Sequence, residues 1–273
     1  MDEYIKSFGD LEGRPDALEQ RERDRRVDPR IPEAGKLIDS AKKKEASGDF
    51  DGAESDYNDA IDALKGTTES KSMLTAGYFA RGRYWELRGE DEWAIRDYSR
   101  AIKHTHKDNR GDRARLHAQR AGARRRIKQH KGALSDYNKA LRTVEQRLIE
   151  LREKTELAAK VTKLLKETAS ENAEGIAASV QKAKDDTRSE LKSQDAKDSV
   201  EHAELEGVYA GWQTNRGLVL TDMGDDMMAL EAHTIAIDRA PNAAAAWSNR
   251  AGMFRYTRRR HLLILCVRVC VSS

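Results

Sequence analysis

Cysteine is nearly missing from this chain of 273 residues: there are two, both within the last eight positions. A disulfide framework is thereby excluded, and a reducing compartment fits. Aromatic residues make up 6% and hydrophobic residues 38%, against 36% charged, which is too little apolar material for one large spherical core. Charge of one sign is lacking too, since the net charge is +3; no global field argues for nucleic acid or a membrane surface. Met1-Asp2-Glu3-Tyr4-Ile5 has neither the basic nor the apolar region of a secretory signal and is too acidic for a transit peptide. The cytoplasm is the default location, with the nucleus next. The most apolar run, Leu262 to Val271, is about half of what a bilayer span needs and is interrupted by Arg268.

Chemistry is missing as well. There is no P-loop and no Gly-rich phosphate fingerprint. His104 and His106 stand one residue apart in an expected loop, without a cysteine or paired acid at ligand spacing, so no metal is expected there. No cofactor and no catalytic activity are expected.

What is present is repetition. Measured from Gly89, alanine follows at +5 (Ala94), an aromatic at +9 (Tyr98) and alanine at +12 (Ala101). The same ruler gives Ala53, Tyr57 and Ala60 from Gly48; Ala133, Tyr137 and Ala140 from Lys128; and Ala229, His233 and Ala236 from Gly224. Steps of four and three put these residues on one face of an α-helix, two small side chains bracketing a large one. Small residues let a neighbouring helix approach, and the leading glycine suits a tight turn into the helix. Each unit reads as turn, then helix. Before each turn lies another helical pattern: Tyr78, Arg81, Gly82 and Trp85 before Gly89, and Arg216, Gly217 and Leu220 before Gly224. Trp247, Asn249, Arg250 and Phe254 begin it once more.

The pattern resembles the tetratricopeptide repeat (TPR), a helix-turn-helix unit of 34 residues. Ala210 and Ala244 are 34 residues apart, Pro241 stands where the family closes its unit, and Trp247 takes the leading aromatic position. The likeness covers roughly residues 34 to 141 and 210 to 257, and it is specific in the second and fourth units and weaker in the first and third. The resemblance implies an all-α, TPR-like solenoid in which Trp85, Trp93, Tyr57, Tyr98, Tyr137 and Trp247 pack the interior. Each unit of a solenoid needs only a stripe buried against its neighbours.

Five regions are expected. Residues 1–33, with Pro15, Pro29, Pro32 and dense mixed charge, read as a disordered arm. Residues 34–145 hold units one to three, the first helix of unit one being a candidate end-cap with Leu37, Ala41 and Lys44 at positions the family fills otherwise. Residues 146–206 are an inserted helical arm and polar linker: Leu134, Tyr137, Leu141, Val144, Leu148 and Leu151 form a coiled-coil-like seam that runs past the repeat. Antiparallel folding back of this arm is preferred, and a dimerising coiled coil is the alternative, which would give self-association. Asp185 to Glu201 reads as too polar to pack by itself. Residues 207–257 hold unit four and the first helix of unit five. Residues 258–273 lose the register, with Arg258, Leu263 and Val267 at the turn and core positions; a reading frame or splice boundary that departs after about Tyr256 is favoured over a solenoid cap or a binding tail.

Function follows from the resemblance. In this family the first helix of each pair lines a groove for partner peptides, which would place Lys42, Arg83, Arg115, Gln119, Arg125, Arg126, Asn215 and Asn249 in or beside it. Residues 110 to 131 carry nine Arg and Lys against one acid, Asp112, so a positive patch is expected that would attract acidic or carboxylate-bearing segments. Nucleic-acid association through the same patch is the alternative, disfavoured because no aromatics are interleaved for stacking. A co-chaperone that binds chaperone tails is a further alternative, disfavoured because the clamp by which such members of the family hold acidic chaperone tails is not carried over. Asn249 looks like one clamp asparagine, but Thr214 and Leu218 replace the lysine and first asparagine before it, and Ala80 replaces the second asparagine in the N-terminal block. The expectation is a protein-interaction scaffold whose partners are other proteins.

Overall fold

A computed structural model describes residues 28–66, 70–171 and 178–254. Within them lie α1 (Arg30–Ser47), α2 (Phe50–Leu64), α3 (Lys71–Leu87), α4 (Asp91–His104), α5 (Arg110–Arg126), α6 (His130–Glu171), α7 (Ala178–Met223), α8 (Asp226–Arg239) and α9 (residues 244–254), with no strand among the described residues. The protein is an all-α solenoid of helix pairs, α1 with α2, α3 with α4, α5 with α6 and α7 with α8. The first helices begin about a turn earlier than the repeat register suggested, at Arg30, Lys71 and Arg110.

All four turns inside the pairs share one geometry. At the first, Gly48 is left-handed at φ 84°, its N–H donates to the Glu45 carbonyl, and the Asp49 N–H reaches back to Lys44 at 2.9 Å. Glu90 to Trp85, Gln129 to Arg124 and Asp225 to Leu220 repeat that long bond. This double bond satisfies carbonyls that the helix end would leave open. In the third unit the left-handed position is Lys128, at φ 62°, where a side chain costs energy that glycine avoids.

The ruler residues form the interior. Ala53, Ala60, Ala94, Ala101, Ala133, Ala140, Ala229 and Ala236 are fully buried, and so are Tyr57, Tyr98, Tyr137 and His233 between them. Close approach is what the small residues permit: a Cβ on Gly82 would sit 2.7 Å from the Tyr98 ring, and one on Gly217 2.5 Å from His233. The aromatic expectation holds only in part. Trp85 is half-buried against the core, but Trp93 and Trp247 are 48% and 47% exposed. Trp93 points outward near the start of α4 with the Arg96 guanidinium 4.6 Å over its ring, and Trp247 is held by its indole N–H on the Pro241 carbonyl and by Arg250 over the ring. Pro241 itself is exposed in the loop before α9.

The arm folds back. Leu141, Val144 and Leu148 of α6 pack on Leu205, Tyr209 and Trp212 of α7, and Arg147 pairs with Glu201 at 2.8 Å. α6 is therefore both the second helix of unit three and one side of the arm, while α7 is the other side and then the first helix of unit four. Residues 185–201, expected to be too polar to pack, lie within α7; Asp198 is buried there and accepts from the Gln194 amide at 2.8 Å. A neighbouring helix supplied burial that the segment could not supply alone. Most of the expected N-terminal arm, residues 1–27, and the atypical tail from 258 lie outside the described residues.

Candidate functional site

The units are tied together by a polar ladder. In unit two Arg81 forks onto Asp97 (Nε–Oδ2 2.7 Å, Nη2–Oδ1 2.9 Å) and its remaining nitrogen donates to Asn58 of unit one at 2.6 Å. In unit three Arg120 forks onto Asp136 at 2.8 and 2.7 Å and donates to Ser99 of unit two at 2.9 Å. Unit one uses Ser40 and Lys44 on Asp56, while in unit four Arg216 reaches Asn138 but Ala232 stands where the aspartate would be. Burial alone would raise the Asp136 carboxyl, but hydrogen bonds from His117 and Arg120 and the charges of Arg120 and Arg124 hold it well below the usual carboxylate range. The signal was visible as Asp immediately before the aromatic at 56–57, 97–98 and 136–137, and Arg immediately before the small residue at 81–82, 120–121 and 216–217.

That ladder removes part of the expected basic patch. Arg120 and Arg124 are consumed by Asp136. Arg126 is held by Glu86 and Asp91, with hydrogen bonds to Asp91 that raise its pKa further, and Arg125 bonds Asp222 of α7 at 2.7 Å. Arg125 and Arg126 are thus struts between units rather than open ligand contacts. Periodicity could place them on a helix face but could not reveal acids arriving from 35 and 97 residues away.

The remaining candidates scatter. Lys42 is exposed and pairs with Asp39, Arg83 and Asn215 are exposed, and Gln119 and Asn249 are half-buried. Arg115 lines a pocket of about 300 Å³ between α3 and α5. Phe79, Ala76 and Leu116 give it an apolar floor, and Lys71, Thr75, Asn109, Asp112 and Arg115 a polar rim. The Asn109 side chain caps α5 by accepting from the Asp112 N–H, which holds this rim in place. Lys71 was not foreseen, because the first helix starts earlier than its repeat register.

His104 is not a loop residue as expected. It ends α4 with its ring stacked on Tyr78 at 5.7 Å, and burial, with Lys103 and Lys71 nearby, lowers its pKa. Among the described residues no group of three or more His, Cys, Asp or Glu is placed to hold a metal ion, and no helix is long and apolar enough to cross a membrane.

No family model matches the sequence, and no curated protein does. Solved structures do. The chain is similar to the crystal structure of MamA, 15% identical over 86% of this chain and 88% of MamA, with a TM-score of 0.50. It is similar to BtubC from P. vanneervenii, 14% identical over 88% and 87% of the two chains, with a TM-score of 0.53. A looser overlay is found with YrrB, described as a TPR protein with an unusual peptide-binding site, 18% identical over 79% of this chain and 90% of YrrB at a TM-score of 0.33. At these identities the likeness is one of fold.

Proposed function

We propose that this TPR-like solenoid is a non-catalytic scaffold that holds a segment of another protein between α3 and α5. The observation that carries the reading is the pocket with Phe79 and Leu116 beneath and Lys71 and Arg115 at its rim. An apolar floor with a few polar groups is how proteins anchor one or two side chains of a ligand. Neither Lys71 nor Arg115 has a carboxylate within ion-pair distance among the described residues, so both are available to an acidic side chain or a terminal carboxylate, which arginine grips bidentately. The favoured partner is an acidic segment with a neighbouring apolar residue. A cytoplasmic setting is consistent with the cysteine usage.

Affinity purification with the wild-type chain, repeated with Lys71→Glu/Arg115→Glu, tests this. Both side chains are exposed, so the fold should persist; partners bound by the wild type should be lost, a charge reversal costing roughly tenfold or more in affinity. Full retention of every partner by the double variant would refute the groove as the docking site.

A further inference from the structure

On the other side of α5 lies a crevice of different character. Lys107, Arg110, Arg113, His117, Lys139, Arg142 and Thr143 enclose about 330 Å³ between the loop after α4, the start of α5 and the middle of the repeat part of α6. No Asp or Glu lines it. Arg110 shares Glu150 with Arg147, at 3.3 Å and 3.4 Å. Lys107, Arg113, Lys139 and Arg142 have no carboxylate within ion-pair distance among the described residues. Further along the same helix Arg120, Arg124, Arg125 and Arg126 are by contrast each matched to an acid.

The placement is also unfavourable for the helix. Arg110 and Arg113 occupy the first turn of α5, where the helix end carries positive partial charge and acids are preferred. The single acid of that turn, Asp112, lies in the pocket on the opposite side, bound to Asn109. Two arginines at a positive helix end, faced by Lys139 and Arg142 from α6 and Lys107 from the loop, repel one another, and the acids nearby are already shared: Glu150 between Arg110 and Arg147, and Asp136 among His117, Arg120 and Arg124. A bound anion would attract each of these cations and the helix end, offsetting their mutual repulsion.

We propose that this crevice binds a compact polyanion with clustered phosphate groups. Phosphate oxygens suit two arginines that can fork and two lysines that supply point charges, next to a helix N-terminus. The volume is that of a small-molecule site. No Phe, Tyr or Trp lines it, and the one ring present, His117, is bonded to Asp136, which favours phosphate-group recognition over single-stranded nucleic acid. The same chemistry could be presented by a soluble molecule or by a phosphorylated lipid headgroup.

Titration calorimetry of the full chain with inositol hexakisphosphate at low salt tests it, alongside flotation with phosphatidylcholine vesicles with and without phosphatidylinositol 4,5-bisphosphate. Binding is expected that weakens with ionic strength and falls about tenfold or more in Lys139→Gln/Arg142→Gln, both exposed positions. Lys71→Glu/Arg115→Glu should leave it unchanged, which separates this site from the groove. Capture by phosphoinositide vesicles as well would assign the headgroup source, and binding of the free probe alone the soluble one. No binding of either probe at low salt, or equal affinity in the Lys139/Arg142 variant, would overturn the proposal. So would generic RNA that binds through the same two residues while inositol hexakisphosphate does not.

Discussion

Units three and four have the same backbone and different interiors. Both use the same turn bonds, the same pair of buried alanines and a small residue opposite the large one. Unit three adds Tyr137 and an aspartate that gathers His117, Arg120 and Arg124, whereas unit four has His233 with neither ring nitrogen hydrogen-bonded and Ala232 in place of the aspartate. Turn geometry and small-large-small spacing therefore suffice for the helix pair. The ladder adds two further links: the Arg120 fork on Asp136 joins the two helices of unit three, and hydrogen bonds from Arg120 to Ser99 and from Arg216 to Asn138 cross the unit boundaries.

The sharpest way to break that contrast is Asp136→Ala. It strands Arg120 and Arg124 without their counter-charge, and removing one side of a buried pair costs about 3–5 kcal/mol. Urea denaturation measures it; a loss below about 1 kcal/mol would mean that the ladder contributes little beyond the alanine packing.

His233 should behave in the opposite sense. The fold buries a neutral ring, and burial lowers its pKa below the ordinary value. As pH falls the unfolded chain takes up the proton first, so stability is fully present above about pH 6.5 and declines below it. His233→Phe keeps a ring against Gly217 and removes two unpaired polar atoms, so a gain of about 1–2 kcal/mol is expected. The variant should also lose part of the decline between about pH 7 and pH 5. Parallel pH profiles for variant and wild type would show that the ring is not held neutral.

The smallest effect concerns the turns, where unit three is the exception. Lys128→Gly relieves a left-handed residue, against the greater freedom of glycine when unfolded, for a net gain of about 0.5–1 kcal/mol. Thermal melting should register a small upward shift; a downward one would show that the lysine side chain stabilises the turn.

Legibility in the sequence followed the range of the interactions. The helix pairs and their turns could be read because they depend on residues three to nine apart on one helix face, as with Ala94, Tyr98 and Ala101, whereas folding back of the arm, preferred over dimerisation but not decided by local spacing, rests on pairs such as Arg147 and Glu201, 54 residues apart. Trp93 and Trp247 were misplaced because an aromatic in helical register can face outward under an arginine as easily as inward. The pocket between α3 and α5 was only partly legible: Arg115 lines it, Lys71 was overlooked, and Arg125 and Arg126 bond acids of neighbouring units instead.

By itself, then, the sequence determined the repeat, the all-α solenoid and the inserted arm, because spacing along one helix is a local property. Only the tertiary structure decided which cations are free. Arg126 and Arg113 are the same residue type on the same helix, yet one meets Glu86 and Asp91 from unit two and the other faces Lys139 and Arg142 across a crevice without acids. A side chain's charge is written in the sequence, but the acids that neutralise it come from units brought alongside by stacking.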